Sequence, residues 1–455
     1  MRLTDPVAEV AFAAFHRRLD AASPAPLALA LSGGGDSLAL LHLACAWARK
    51  GGRPVLALTL DHRLNPDSAD WTRFAADAAR AAGAQWRGLS WDGPKPSTGL
   101  PAAARAVRHA LIAEAAREAG AGVVLFGHTA DDVAEAALMR ATDVPDLGTL
   151  REWSPSPAWP EGRGVFLLRP LLGISRGALR GWLQARKLDW LEDPANEDQR
   201  FARARARTAL STAHPGESRD PGVFFGERAG LRKNLGPGFR RDERDLGGEA
   251  VVGPDGSISI PRQAIVHADP EAARRFLAAA LLCASGGVRP PRTVALDRLL
   301  ARLAAEETVT ATLAGSRVVA EGETVRFGRE AGRKGLESRA LDPGRMQVWD
   351  GRFEVQADAP GLTLRSLAGF AARLSKTDRA ALTAIAAAFR PALPVLSDDA
   401  GSVALPGPLG SGAGRIRALA GGRLAAACGL IAQESALSPA KLEAGHGAEA
   451  AVILS

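Results

Sequence analysis

Between residues 25 and 130 the chain alternates short apolar runs with stretches in which apolar positions recur at helical spacing. Leu27–Leu31 is such a run and reads as a buried strand, and Leu38 to Lys50 after it reads as a helix. The alternation repeats, with strands over Val55–Leu60, Gln85–Leu89 and Val123–Phe126 and helices over Ser68–Ala82, Ala102–Ala119 and Asp131–Arg140. Strand–helix alternation of this kind predicts an α/β domain with a parallel sheet covered on both faces. Ligands of such sheets bind where strand C-termini meet helix N-termini. The polar clusters of this region all fall at strand ends.

Further along, the pattern changes. Residues 143–163 are rich in Pro, Ser and Trp and read as an irregular loop. Phe166–Leu172 reads as a strand leading into a helix from about Ser175 to Lys187. An acidic turn, Glu192 to Asn196, then precedes an arginine ladder of Arg200, Arg203, Arg205 and Arg207. Residues 1–210 are thus assigned to one domain. Over 211–248, Gly, Pro, Arg and acidic residues mix without apolar periodicity, which predicts a flexible linker or insertion. Helices over Glu271–Ala284 and Val294–Ala305 and hairpins over 308–328 place a helical domain at 249–340. Short apolar runs separated by Gly and Pro predict a small mixed C-terminal domain at 341–455.

Charge adds a partner class. The formal net charge is +7, and most of the cations are Arg, whose fork matches phosphate geometry. This favours an anionic partner, with nucleic acid the leading candidate and an ordinary basic surface the alternative. The three cysteines, Cys45, Cys283 and Cys428, are far apart and form neither a disulfide framework nor a CxxC metal site. No basic stretch followed by an apolar one opens the chain, and no apolar run is long enough to span a bilayer. The expectation is a soluble, cytoplasmic protein with no membrane partner.

Ser32-Gly33-Gly34-Gly35-Asp36-Ser37 carries the most chemistry. Glycines allow positive φ and close backbone approach. A strand that runs through a glycine turn into a helix aims backbone N–H groups at one spot, with the helix dipole behind them. Ser32 and Ser37 add hydroxyls. The stretch suits a phosphate or pyrophosphate, although it has neither the GxxxxGK[ST] nor the GxGxxG spacing. Asp36 would repel a phosphate unless a Mg²⁺ ion bridges the two. The plain alternative is a glycine turn with a helix-capping Asp.

S-G-G-x-D-S after the first strand resembles the signature of the PP-loop ATP pyrophosphatases, which cleave ATP between the α- and β-phosphates and adenylate a substrate. Other stretches narrow the resemblance to the tRNA(Ile)-lysidine synthases. Leu60-Asp61-His62-Arg63-Leu64 is similar to their D-H-x-L-R segment, and Ala104 to His109 to A-R-x-x-R-Y. Gly127-His128-Thr129-Ala130-Asp131-Asp132-Val133-Ala134-Glu135 is similar to G-H-x-x-D-D-Q-x-E-T. Arg169-Pro170-Leu171-Leu172, with Asp193-Pro194-Ala195-Asn196 and the arginine ladder, follows R-P-L-L … D-P-x-N-x-x-x-R-Y-x-R-N-x-x-R. Order and spacing agree over roughly residues 25–210. The resemblance implies an adenine-nucleotide alpha-hydrolase-like domain, ATP as cosubstrate with Mg²⁺, free lysine, and the isoleucine tRNA with a CAU anticodon. The wobble cytidine would be adenylated and then take lysine at C2, with release of AMP and pyrophosphate.

The residues support roles of their own. Asp131, Asp132 and Glu135 form an acidic cluster where a strand ends and a helix begins. It can hold Mg²⁺ or a substrate ammonium, or merely cap the helix. The resemblance gives it lysine, with Asp132 the better positional match. His128 is a candidate for phosphate contact or proton transfer. Arg105 and Arg108 are three apart on a helix and can face one phosphate, or water. Arg203, Arg205 and Arg207 are candidates to grip tRNA backbone, or to form a solvated face. Asp61 and His62 serve the nucleotide or cap their turn. Departures from the pattern stand at Asn65, His109, Val133, Ala136 and Ala204. Three rivals remain at this stage. A tRNA thiolation enzyme would need cysteine chemistry, a small-molecule synthetase would need an ammonia source, and a degenerate RNA-binding protein would bind tRNA without turnover.

Overall fold

The computed structural model describes residues 5–141, 150–192, 241–333 and 335–437, the side chains of 139–141, 241 and 242 excepted. The chain forms two units, Met1–Gly238 with Ala432–Leu437, and Phe239–Ile431 with Ser438–Ser455.

The first unit is built on a six-stranded sheet. β1 (Leu27–Ala30) lies between β2 (Val55–Asp61) and β4 (Val123–Leu125) and is parallel to both. β3 (Gln85–Ser90) extends the sheet beyond β2, and β6 (Phe166–Leu168) extends it beyond β4, again in parallel. β5 (Trp153–Pro155) adds an antiparallel edge to β6. β1 and β4 are buried throughout apart from the partly covered Ala30, which explains their unbroken apolar sequence. α2 (Gly35–Ala48) follows β1, α3 (Ser68–Ala81) follows β2, α4 (Leu100–Glu118) follows β3, α5 (Ala130–Ala141) follows β4, and α6 (Arg176–Gln184) follows β6. α1 (Pro6–Arg18) precedes them. Ile112, Ala115 and Ala116 of α4 share a core with Ala28, Leu56, Leu58, Val124 and Leu167 of the sheet. The chain works outward through β1, β2 and β3 and then crosses back to β4. The crevice beyond the C-terminal ends of β1 and β4 is therefore the switch point where such sheets take ligands.

Two local readings are corrected. The stretch expected to be irregular contains β5, whose Trp153 stacks on Phe166 with ring centres 4.9 Å apart. The strand expected over Phe166–Leu172 stops at Leu168, since Pro170 has no N–H to continue a ladder.

In the second unit, α7 (Arg241–Glu249) takes up residues that the sequence reading gave to the linker, and its Leu246 is buried. Residues 211–240 lie outside the described part. β7 (Val251–Val252), β8 (Ile258–Pro261), β9 (Val309–Leu313), β10 (Ser316–Glu321) and β11 (Thr324–Arg329) form an antiparallel sheet in the order β7-β8-β11-β10-β9. Three helices accompany it: α8 (Arg262–His267), α9 (Pro270–Ser285) and α10 (Thr293–Ala305). Val318, Ala320, Val325 and Phe327 alternate into one core with Phe276, Leu277, Ala280 and Leu281 of α9. Residues 339–418 add two four-stranded sheets that share Trp349, Phe353, Val355, Leu364, Leu396 and Ile416 as a core. None of the described helices is long and apolar enough to cross a membrane.

Candidate active site

The turn after β1 is shaped by hydroxyls and glycines. Ser37 Oγ donates to the Gly34 carbonyl at 2.9 Å and accepts the Ser32 N–H at 3.2 Å. Ser32 Oγ lies 3.1 Å from Ser37 Oγ. These bonds draw the loop over the first turn of α2, and a parallel bridge between Gly34 and Leu191, with the Leu191 N–H on the Gly33 carbonyl at 3.0 Å, holds it from the other side. Gly33 has φ +87°, and a Cβ there would sit 2.8 Å from Leu191 Cδ1. Gly127, at the end of β4, is required for a different reason. A Cβ there would lie 3.0 Å from the Asp36 carbonyl oxygen and 3.1 Å from its carbon. The β4 turn thus presses backbone to backbone on the start of α2. That contact brings the glycine loop and the start of α5 to one place.

The acidic residues converge there, on a cation that the sequence reading missed. Arg176, the first residue of α6, directs Nε to Asp36 Oδ2 at 3.1 Å and Nη1 to Glu135 Oε1 at 3.4 Å. Its Nη2 is 3.7 Å from Asp132 Oδ2. Its backbone N–H donates to Asp131 Oδ2 at 2.8 Å. Asp132 Oδ2 also accepts the Thr129 N–H at 2.8 Å and the Thr129 hydroxyl at 3.0 Å, which caps α5 from its first turn. Burial raises the Asp36 carboxyl above the ordinary carboxylate range, Arg176 pulls it back, and Asp132 and Asp131 raise it further. Arg176 is itself raised, because attraction to Asp36, Asp132 and Glu135 outweighs the cost of its own burial.

Basic and aromatic groups gather around Phe126, at the end of the same strand. His109 of α4 stacks on Phe126 with ring centres 5.3 Å apart, and His128 lies near-parallel to it at 5.8 Å. The Arg108 guanidinium is 5.9 Å from the same ring. Buried Arg169 donates Nε to His128 Nδ1 at 3.2 Å, which makes Nδ1 the unprotonated nitrogen. Arg169 Nη1 holds the Arg151 carbonyl at 2.9 Å and Ser154 Oγ at 3.0 Å, so β5 helps to place it. Burial and the neighbouring Arg105 push Arg169 down to about 10. Burial, then Arg108, Arg105, Arg169 and His128, drive His109 down to about 3. His62 is lowered chiefly by burial and also by Arg108, while Asp61 raises it. Asp61 accepts the Arg63 N–H at 2.7 Å and shapes its own turn.

A glycine loop, an acidic cleft and a cluster of cations therefore meet at one sheet edge. Ser32 to Ser37, Asp131, Asp132, Glu135, His128 and Arg108 all belong to it. Arg203, Arg205 and Arg207 lie outside the described residues. Arg176 and Arg169 were legible only as members of a helix start and of the R-P-L-L stretch. The three cysteines are all buried, and burial pushes Cys45 up to about 11 and Cys283 and Cys428 to about 12. Such thiols are poor nucleophiles and metal ligands.

The profile of the PP-loop domain family matches residues 8–214. A tRNA(Ile)-lysidine synthase of Caulobacter vibrioides is 47% identical over 436 residues, covering 93% of this chain and 98% of that relative. Relatives of the same name are 38% identical in Hyphomonas neptunium, over 65% of this chain and 79% of the relative, and 34% identical in Ruegeria pomeroyi, over 74% and 78%. With the loop, the cleft and the switch-point crevice in place, this likeness over nearly the whole length is decisive: the chain belongs to the tRNA(Ile)-lysidine synthase family and is a tRNA-modifying ligase that uses ATP on a PP-loop domain.

Proposed function

We propose that the chain joins free lysine to C2 of the wobble cytidine of the CAU-anticodon isoleucine tRNA. The reaction runs through an adenylated cytidine and releases pyrophosphate and then AMP. The observation that carries this reading is the adjacency of an anion-binding loop to a carboxylate cleft already occupied by a cation, with one residue, Asp36, belonging to both.

The loop from Gly33 to Asp36 and the hydroxyls of Ser32 and Ser37 hold the ATP phosphates. Asp36 would hold Mg²⁺, which would neutralise phosphate charge. Among the described residues no group of three or more His, Cys, Asp or Glu side chains is disposed to cage a metal. One carboxylate beside bound phosphates is nevertheless the ordinary setting for Mg²⁺, which neutralises phosphate charge there. The cytidine O2 attacks the α-phosphate in line, and catalysis is mainly positioning and charge stabilisation. Arg108 and His128 lie on the basic side of the crevice, where phosphate charge develops. Asp131, Asp132 and Glu135 orient the lysine ε-ammonium, which sheds a proton before attacking C2. Arg203, Arg205 and Arg207 grip the tRNA backbone, with the second unit binding the tRNA body through phosphates and shape. The cytoplasm, where tRNA, ATP and free lysine meet, is the place of action.

Two substitutions separate the steps. Asp36→Asn removes tRNA-dependent pyrophosphate release and leaves tRNA binding intact. Glu135→Gln keeps pyrophosphate release and raises the KM for lysine. Full pyrophosphate release in the Asp36 variant overturns the assignment of the loop, and an unchanged lysine KM in the Glu135 variant overturns that of the cleft.

A further inference from the structure

The cleft given above to a substrate cation is filled in this structure by one of the chain's own. We infer that Arg176 is a placeholder cation. It neutralises the cleft carboxylates Asp132 and Glu135 until the lysine ammonium arrives, and it must swing out for the ammonium to enter. This inference rests on the lysine reading of the cleft and adds a positioning and specificity residue to it.

The geometry separates Arg176 from the structural arginines of the same chain. Arg53 is fully buried and grips Glu434 with two bonds, of 2.7 and 2.5 Å, as well as two carbonyls at 2.9 Å. Arg329 forms a two-pronged pair with Asp350 at 2.9 and 3.0 Å. Arg176 instead divides its guanidinium among three carboxylates at 3.1, 3.4 and 3.7 Å. That pattern satisfies charge without satisfying the fork. The main chain beneath it is fixed. Its N–H is held by Asp131 at 2.8 Å, and Ser175 caps α6 by accepting the Ala178 N–H at 3.2 Å. The backbone is pinned and the head is loosely shared, so the side chain can rotate away while α6 stays in place.

The need for such a group follows from burial. Glu135 and Asp132 are both buried. Carboxylates gathered out of water demand a counter-charge at all times. A resident guanidinium supplies it and sets a condition for entry. A neutral amino-acid side chain cannot replace the charge it displaces, and an ammonium can. The arrangement trades lysine affinity for rejection of neutral competitors.

The test is the KM for lysine, measured with ATP and tRNA saturating, in Arg176→Gln. The placeholder account predicts a fall of about fivefold or more, the lower range of couplings between competing groups. A purely structural role predicts a loss of kcat or of folded protein with no fall in KM, and a KM that is unchanged or raised in folded Arg176→Gln overturns the inference. If that variant does not fold, Arg176→Ala is assayed in millimolar methylguanidinium. Lysine must then compete with the added cation, so its KM rises with methylguanidinium concentration, whereas a KM independent of it overturns the inference. Wild-type protein is run alongside. Absence of lysine incorporation there would remove the functional reading, and normal incorporation with no change of KM in the variants would remove the placeholder alone.

Discussion

His109→Phe should make the first unit less sensitive to acid. His109 is buried, neither ring nitrogen has a hydrogen-bond partner among the described residues, and its ring stacks on Phe126. Burial, reinforced by Arg108, Arg105, Arg169 and His128, holds it at about 3 instead of the ordinary 6.5. The folded protein therefore keeps this imidazole neutral at pH 5, while the unfolded chain protonates it. Stability from this residue is complete above about pH 6.5 and is lost as pH falls from there toward about 3. At about 1.4 kcal/mol per pH unit, the loss is about 2 kcal/mol at pH 5. Phenylalanine preserves the stack and does not titrate. The stability difference between variant and wild type should thus move by about 2 kcal/mol in favour of the variant between pH 8 and pH 5. Taking the difference cancels the other titrating groups. Urea unfolding at pH 8, 6.5 and 5 reads it, and tryptophan fluorescence is the suitable probe because Trp349 is the single tryptophan of the chain beyond residue 190. At pH 8 the variant should be at least as stable as wild type, since it buries no unpartnered nitrogen. A difference that stays constant across the three pH values would refute the reasoning.

Other changes test the frame around the site. Gly127→Ala places a methyl group 3.0 Å from the Asp36 carbonyl oxygen, and backbone must move to admit it. A displacement of a few tenths of an ångström at the start of α2 should lower kcat/KM for ATP by about tenfold with the fold retained, and wild-type ATP kinetics would contradict the contact. Among the described residues, Glu434→Ala leaves the fully buried Arg53 facing only the Asp20 and Ala25 carbonyls. Breaking a buried pair in this way costs about 3–5 kcal/mol, which should lower the Tm of the first unit by about 10 °C in calorimetry, and a shift of a degree or less would show the pair to be dispensable.

The sequence carried the first unit because its signals are local. Unbroken apolar runs of the β1 kind occur where a strand is covered on both faces. A serine–glycine turn between such a run and a helix has few other uses. Asp36, Asp131, Asp132 and Glu135 were legible for the same reason, each lying in the turn after a strand or on the first turns of the helix that follows it. Arg176 was not. It is an ordinary helix-start arginine whose meaning depends on α6 arriving beside Asp36, 140 positions away in the chain. Arg169 stands in R-P-L-L, yet its hold on His128 depends on β5, a three-residue strand ending in proline. In the second unit, strands of two to four residues such as β7 and β8 are too short to show a period. α7 exposes so much charge that its single buried leucine did not mark it as a helix.

Pyrophosphate release from ATP and Mg²⁺, with free lysine and the CAU-anticodon isoleucine tRNA each supplied and each withheld, tests the central claim most directly. The account predicts release that requires this tRNA, with labelled lysine entering the tRNA only when all components are present. Pyrophosphate released equally without tRNA, or tRNA bound with no turnover, would contradict it.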